Sequence, residues 1–347
     1  MKTTMKTTMK NLSLLFLIVA LISSCQKDNS SPIPTGVYDN GYFVINQGNF
    51  GSGNGSISFI SEEDSVINDI YFQANGVQLG DVVQSMEIIG DYAYIIVNNS
   101  DKIIIASKYN MEYVTEISVS QPRYIKQVSS DKAYITSWGT NSIHVVNLNS
   151  GAVINEILCG IGPESITIHE GLAYITNVGG WGIDSIITVI DIASDVVAEI
   201  AINAGDKPNS AQIDANGDLW VLCGGVTWPA ESATLGKLVK ISNNIVINSF
   251  TFSLGQGPKN LVINDSGTML YYLSGGSVYS FDINDTSLPT LPLILESFYA
   301  IGFNNGYIHG VDAIDWVQSG YSKKYSVDGV LQDTYSVGII PGGYCFN

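Results

Sequence analysis

The side chains in this sequence best equipped for chemistry are aromatics set among amides, together with one arginine. Of five tryptophans, four (Trp138, Trp181, Trp228 and Trp316) fall in stretches rich in Gly, Asn and Ser, as does Phe50, while Tyr124, Tyr299 and Tyr344 lie close to the starts of apolar runs. Trp and Tyr offer broad, stiff, amphipathic area, and neighbouring Asn, Gln and Ser supply orienting hydrogen bonds. Brought together, they would bind a large small molecule with apolar faces and amide edges. Packed apart, the same tryptophans would be wedges between structural units. Arg123, the sole arginine, is open to two readings: it can donate several hydrogen bonds to a ligand amide or phosphate, or it can pair with an acid such as Glu164. The stretch 223–236 is either a pocket wall or a surface excursion.

Catalytic and metal chemistry is sparse by inventory. His144, His169 and His309 are far apart with no metal-type spacing, and no Gly-x-Ser-x-Gly elbow occurs. Asp214-Ala215-Asn216-Gly217-Asp218 has the flavour of a calcium loop without its downstream Glu, and is expected to be a hairpin turn. The expectation is therefore a protein that is not an enzyme and uses no metal or cofactor. The alternatives are a propeller enzyme of lyase or lactonase type, using acids such as Asp312 and Asp315 beside Trp316, and a carbohydrate-binding protein, since sugars also stack on tryptophan. A formal net charge of −17 with a single arginine excludes the cationic surface that nucleic acid requires.

The elements that must position these residues emerge from self-comparison. Ala-Tyr-Ile occurs at 93–95, 133–135 and 173–175, and divergent copies place the marker aromatics at Tyr42, Tyr94, Tyr134, Tyr174, Trp220, Tyr271 and Tyr307. A mean spacing of about 44 residues suits four short strands and their turns, the size of one propeller blade. In the third unit the strands are expected near 122–125, 133–136, 142–148 and 152–158, with Ile143 and Val145 facing oppositely to Val146 and Leu148. Helical spacing is not evident. Pro122, Pro163, Pro208 and Pro258 open the innermost strands, where a missing N–H is least costly. The first unit lacks an inner strand and the chain ends in a surplus one, 341–346. The predicted fold is thus all-β: a seven-bladed β-propeller over residues 39–347, closed by the C-terminal strand completing the first blade. In such a ring the loops carrying Phe50, Trp138, Trp181, Trp228 and Trp316 share one face with the starts of the inner strands.

The N-terminal segment reads as an export signal. Lys2, Lys6 and Lys10 precede the apolar run 12–22, which is too short to span a bilayer. Leu21-Ile22-Ser23-Ser24-Cys25 has the form of a lipobox, so residues 1–24 are expected to be a lipoprotein signal peptide, Cys25 the lipidated residue, and 25–38 a flexible tether. Gln26-Lys27-Asp28-Asn29 is similar to the signal that sends lipoproteins to the outer face of the outer membrane. Contact with the membrane would be through the lipid alone. Cys159, Cys223 and Cys345 permit one disulfide at most and are expected to be buried free thiols.

Several segments carry a family resemblance: 42–51 (Tyr-Phe-Val-Ile-Asn-Gln-Gly-Asn-Phe-Gly), Pro122-Arg123-Tyr124, 133–139, Val189-Ile190-Asp191 and the ending 338–346. Over nearly the whole domain the chain resembles the YncE-like seven-bladed propellers, and more narrowly the BtuG-type lipoproteins that capture cobalamin (vitamin B12). The resemblance implies a surface lipoprotein that binds a small molecule, cobalamin or another corrinoid, and passes it to a TonB-dependent outer-membrane transporter. The residues expected to meet the ligand are Phe50, Arg123, Tyr124, Trp138, Trp181, Trp228, Tyr299, Trp316 and Tyr344.

Overall fold

Seven small antiparallel sheets stand around one axis in the structure, a computed structural model that describes residues 38–198 and 201–346. The expected leader, the lipidation site Cys25 and nearly all of the tether lie outside the described residues. The innermost strands, in ring order, are Pro341–Phe346, Val83–Ile89, Pro122–Gln127, Pro163–His169, Pro208–Ile213, Lys259–Ile263 and Ala300–Asn304. Each packs beside the next, and Ala300–Asn304 beside Pro341–Phe346 completes the circle. All seven marker aromatics lie on the second strand of their blades.

Closure runs through the C-terminal strand. Pro341–Phe346 pairs antiparallel with Gly41–Asn46, with Tyr42 opposite Phe346 and Val44 opposite Tyr344. One sheet therefore holds the two ends of the domain, and no blade is left with an open inner edge. Tyr42, Val44 and Ile60 of the first blade then pack against Val311, Tyr335 and Val337 of the seventh.

In the second and third strands of the blades alternation does not separate core from solvent, because both faces are covered by the neighbouring blades, whereas outer strands such as Val153–Leu158 are largely exposed. Ile143 and Val145 pack with Ala173, Ile175 and Ile190 of the fourth blade. Val146, on the opposite face, joins Tyr94, Ile96 and Ile105 of the second, with Leu148 against the same cluster. Burying each such side chain contributes roughly 1.5–3 kcal/mol. This explains the apolar excess over a simple alternating pattern.

Two features depart from the expected repeat. A short helix, Ile70–Asn75, links the first two blades; its buried Ile70 and Tyr71 seat in the cluster between them. At six residues it has no helical period to detect, and tertiary packing holds it. Asn75 ties it to the second blade, donating to the Met111 carbonyl at 2.7 Å and accepting from the Tyr113 N–H at 2.8 Å. The sixth blade has three strands, not four. Pro289 and Pro292 interrupt the stretch that would supply the fourth, and only a bridge between Val278 and Ile294 remains.

Candidate functional site

Five of the inner strands begin with a register shift against their neighbour: at Val83/Ser85, Pro122/Ile125, Pro163/Ile166, Pro208/Ser210 and Lys259/Val262. A bulge re-aims side chains, and here it accompanies a set of polar residues on the channel lining: Gln84, Arg123, Glu164, Asn209 and Lys259. Tyr299, just before the inner strand of blade 7, adds a sixth member. The seventh place belongs to Gln47, which lies against Gly342 so closely that a Cβ there would be 2.6 Å from the Gln47 amide nitrogen. These residues line a central channel of roughly 750 Å³.

The members of this ring are mostly joined. Arg123 grips Glu164 with two hydrogen bonds, Nε to Oε2 at 2.9 Å and Nη2 to Oε1 at 2.7 Å, and gives a third from Nη1 to Gln84 Oε1 at 2.6 Å. Its pKa is raised: burial acts against the charge, but the Glu164 carboxylate outweighs it. Of the two readings of Arg123, the structure shows the ion pair. Three of the five guanidinium N–H groups are engaged, which leaves two. The Asn209 amide donates to the Pro258 carbonyl at 3.0 Å, and the Tyr299 hydroxyl donates to Gln47 Oε1 at 3.1 Å. Tyr124 lines the wall beneath, and burial pushes its hydroxyl up to about 12.

The sequence-predicted aromatics fall into two sets. Trp138 is half-buried: the Arg123 guanidinium lies 4.1 Å from its ring centre, Gly180 approaches the ring, and the Trp181 ring meets it edge-on at 6.2 Å. Its indole Nε1 is buried with no hydrogen-bond partner. Trp316 meets Tyr299 edge-on at 4.8 Å, and its carbonyl accepts from the Asn49 amide at 2.6 Å. Trp181, Trp228 and Phe50 stand in solvent, 94%, 82% and 79% exposed. Tyr344 sits down the channel, three residues into its strand, stacked on Phe346 at 5.4 Å and within hydrogen-bond distance of Ser322. The structure thus gathers Arg123, Tyr124, Tyr299 and Tyr344 on the channel wall, with Trp138 and Trp316 behind two of them. Phe50, Trp181 and Trp228 lie on outer loops of the same face.

Other candidates are taken up by local structure. Asp312 accepts from the Ile314 N–H at 2.9 Å, and Asp315 from Val317 and Gln318 at 3.0 Å each, so both acids brace the turn beneath Trp316. Asp214–Asp218 is a turn, as expected: the Gly217 N–H bonds the Asp214 carbonyl, and Asp214 Oδ2 accepts from the Trp220 indole at 2.9 Å. The 223–236 stretch is a loop cinched at its base, where Thr234 N–H donates to the Val226 carbonyl and Val226 N–H to Thr234 Oγ1. A hollow of roughly 690 Å³ on the opposite face is lined by Asp131, Lys132, Asp191 and Asp195. These four are already engaged: Lys132 and Tyr134 share Asp195, Ser194 caps Asp191, and Asp131 accepts from the Ser129 hydroxyl. None of the three described cysteines is in a disulfide; Cys223 and Cys345 are buried and Cys159 is partly so.

Sequence reasoning found Arg123 and Tyr299 but missed Gln47, Gln84, Asn209 and Lys259. The signal was present: in the third to sixth units the residue after the opening proline is Arg123, Glu164, Asn209 and Lys259, one channel position in four repeats.

The family model for a domain of unknown function, DUF5074, matches residues 40–335, and the chain belongs to that family. No curated protein matches it. Among solved structures it is similar to a quinonprotein alcohol dehydrogenase-like protein from Bacteroides thetaiotaomicron, at 17% identity and a TM-score of 0.67, covering 89% of this chain and 78% of the other. It is similar to the periplasmic gluconolactonase of Pseudomonas aeruginosa, at 9% identity and 0.65, covering 88% and 98%. It is also similar to a streptogramin B lyase, at 16% and 0.57, covering 76% and 87%. At such identities the likeness is one of fold. It corrects one expectation all the same. The inference that the chain is not an enzyme came from missing local motifs, yet this fold houses a lactonase and a lyase. A ring of blades assembles a site from single residues about 40 positions apart, which motif inspection does not see.

Proposed function

We propose that this DUF5074 protein binds a small molecule at the mouth of its central channel, and that the first candidate is a corrinoid such as cobalamin. The observation that carries the reading is that exposed Phe50, Trp181, Trp228 and Trp316 all stand on loops of one face, the face that holds the mouth of a channel lined in part with amides and hydroxyls. Exposed tryptophans on loops lose apolar area to water for no structural return, so a ligand is the natural cover. The corrinoid itself rests on the sequence resemblance to BtuG-type proteins. The same resemblance and the 21–25 lipobox support a lipid-anchored protein of the outer membrane, facing the exterior, that passes its ligand to a TonB-dependent transporter.

Calorimetric titration of the purified protein with cyanocobalamin tests this directly. Saturable one-to-one binding, weakened at least tenfold in Trp181→Ala/Trp228→Ala without a change in melting temperature, is the expected result. No heat and no thermal shift would remove the corrinoid and send the search to glycans.

A second reading, an enzyme of lactonase or lyase type acting at the same mouth, is favoured by the gluconolactonase and the streptogramin lyase that share the fold. Incubation with gluconolactone, followed by acid release at constant pH, tests it. Turnover above the spontaneous rate that disappears on mutation of the channel ring would establish catalysis.

A further inference from the structure

The lining of the central channel carries one more cation than carboxylate, in an acidic protein. It holds three cations, Arg123, Lys126 and Lys259, against two carboxylates, Glu87 and Glu164, in a chain of formal net charge −17. Arg123 is held by Glu164 at 2.7 Å and Lys126 by Glu87 at 2.5 Å. Lys259 has neither: among the described residues no carboxylate lies within 4.0 Å of its ammonium and no acceptor bonds it. Its one electrostatic contact is the face of Tyr299, 4.6 Å from ammonium to ring centre. A partly buried ammonium with three unused donors is costly unless a counter-charge arrives. Burial pushes the Lys259 pKa down, as expected of a charge kept from water without an acid beside it.

The surroundings are suited to receive one. Asn209 and Ser210 lie on the neighbouring inner strand, and Gln47 and the Tyr299 hydroxyl lie on the other side. Glu164, the one carboxylate among the seven ring residues, already has its charge met by the arginine fork, so little repels a second anion. We propose that Lys259 is an anion subsite at the channel mouth, taking a carboxylate or phosphate group of a small hydroxyl- or amide-bearing ligand whose neutral edges meet Gln47, Asn209 and Tyr299. The inference rests on the reading of this mouth as a binding site, and it specifies one chemical feature of what binds there.

Two consequences follow, and the second separates a ligand-binding lysine from an incidental one. Removing the charge relieves an uncompensated burial, so Lys259→Met should melt at the wild-type temperature or above it. Binding an anion restores the counter-charge and draws the lysine pKa back up. Anion affinity therefore falls as pH rises through the lowered lysine pKa, and binding takes up protons there.

The experiment is a titration of the full protein with gluconate, with glucose 6-phosphate and with glucose as the neutral control, for wild type, Lys259→Met and Lys259→Arg. One or both anions should bind where glucose does not, and which of them binds separates a carboxylate from a phosphate ligand. Lys259→Met should lose about tenfold or more in affinity, and Lys259→Arg should retain most of it. Equal binding of glucose and the anions, no binding of either anion, or anion binding unchanged in a folded Lys259→Met protein would each overturn the proposal. Cyanocobalamin titrated into the same three proteins reports on the corrinoid reading separately. Its binding can fail while the anions bind, or persist while they do not.

Discussion

Replacing Glu164 by Gln leaves the Arg123 guanidinium in place but takes away the charge that compensates its burial. The two side chains are only 14% and 11% exposed, so solvent cannot take over the lost partner. Breaking a buried pair from one side costs about 3–5 kcal/mol, because the surviving charge remains desolvated. Part of the cost is geometric: the Gln amide can accept from one prong of the fork at 2.7–2.9 Å but presents N–H to N–H at the other. A domain of roughly 300 residues has an unfolding entropy near 0.6 kcal/mol/K, so the melting temperature should fall by about 5–8 °C. Arg123→Met/Glu164→Leu, which removes both charges and keeps apolar volume against Trp138, should recover to within about 1 kcal/mol of wild type. Scanning calorimetry with urea titration measures all of these, and the double-mutant cycle gives the coupling. A Glu164→Gln protein within about 1 °C of wild type, or a double variant as unstable as the single, would show that the fork is not a desolvated pair and that Arg123 is free for other work.

Further expectations follow from other parts of the ring. His309 is buried among Tyr42, Tyr344 and Phe346, and burial, reinforced by Lys324, lowers its pKa to about 4 from 6.5. The folded state thus resists a proton that the unfolded chain accepts. Stability is complete above about pH 6.5 and falls as pH drops towards 4, by up to about 3 kcal/mol from this group; urea midpoints at pH 7 and 4.5 should differ less in His309→Gln than in wild type. Deleting 341–346 removes the inner strand of the first blade and should leave a protease-sensitive chain with no cooperative melt, whereas a transition within a few degrees of wild type would mean that the ring closes without it. Burial pushes the Cys223 and Cys345 thiols up to about 12, so iodoacetamide at pH 8 should label them only after denaturation; rapid labelling of the native protein would contradict their burial.

Local, repeated features were readable from the chain alone. Marker aromatics such as Tyr94, Tyr134 and Tyr174, the opening prolines and the surplus strand at 341–346 gave the blade count, the strand order and the closure, because period-two patterning and a regular repeat are properties of neighbours in sequence. The face bearing Trp181, Trp228 and Trp316 was readable for the same reason: alternating strands dictate which loops point together.

Contacts between repeats were decided only by the tertiary structure. Arg123 and Glu164 lie 41 positions apart; the sequence offered this pair as one of two readings of Arg123, but nothing local decides that it forms, or that Trp138 is then covered by the guanidinium while Trp181 is left in water. The helix 70–75 and the missing fourth strand of blade six depend on the space between blades and on where two prolines fall. Lys259 shows the limit most plainly. In the sequence it is one more lysine after a proline. Only the ring, with its other charges already paired across blade boundaries, leaves that ammonium without a counter-ion, because pairing depends on distances in space and desolvation depends on what surrounds the group.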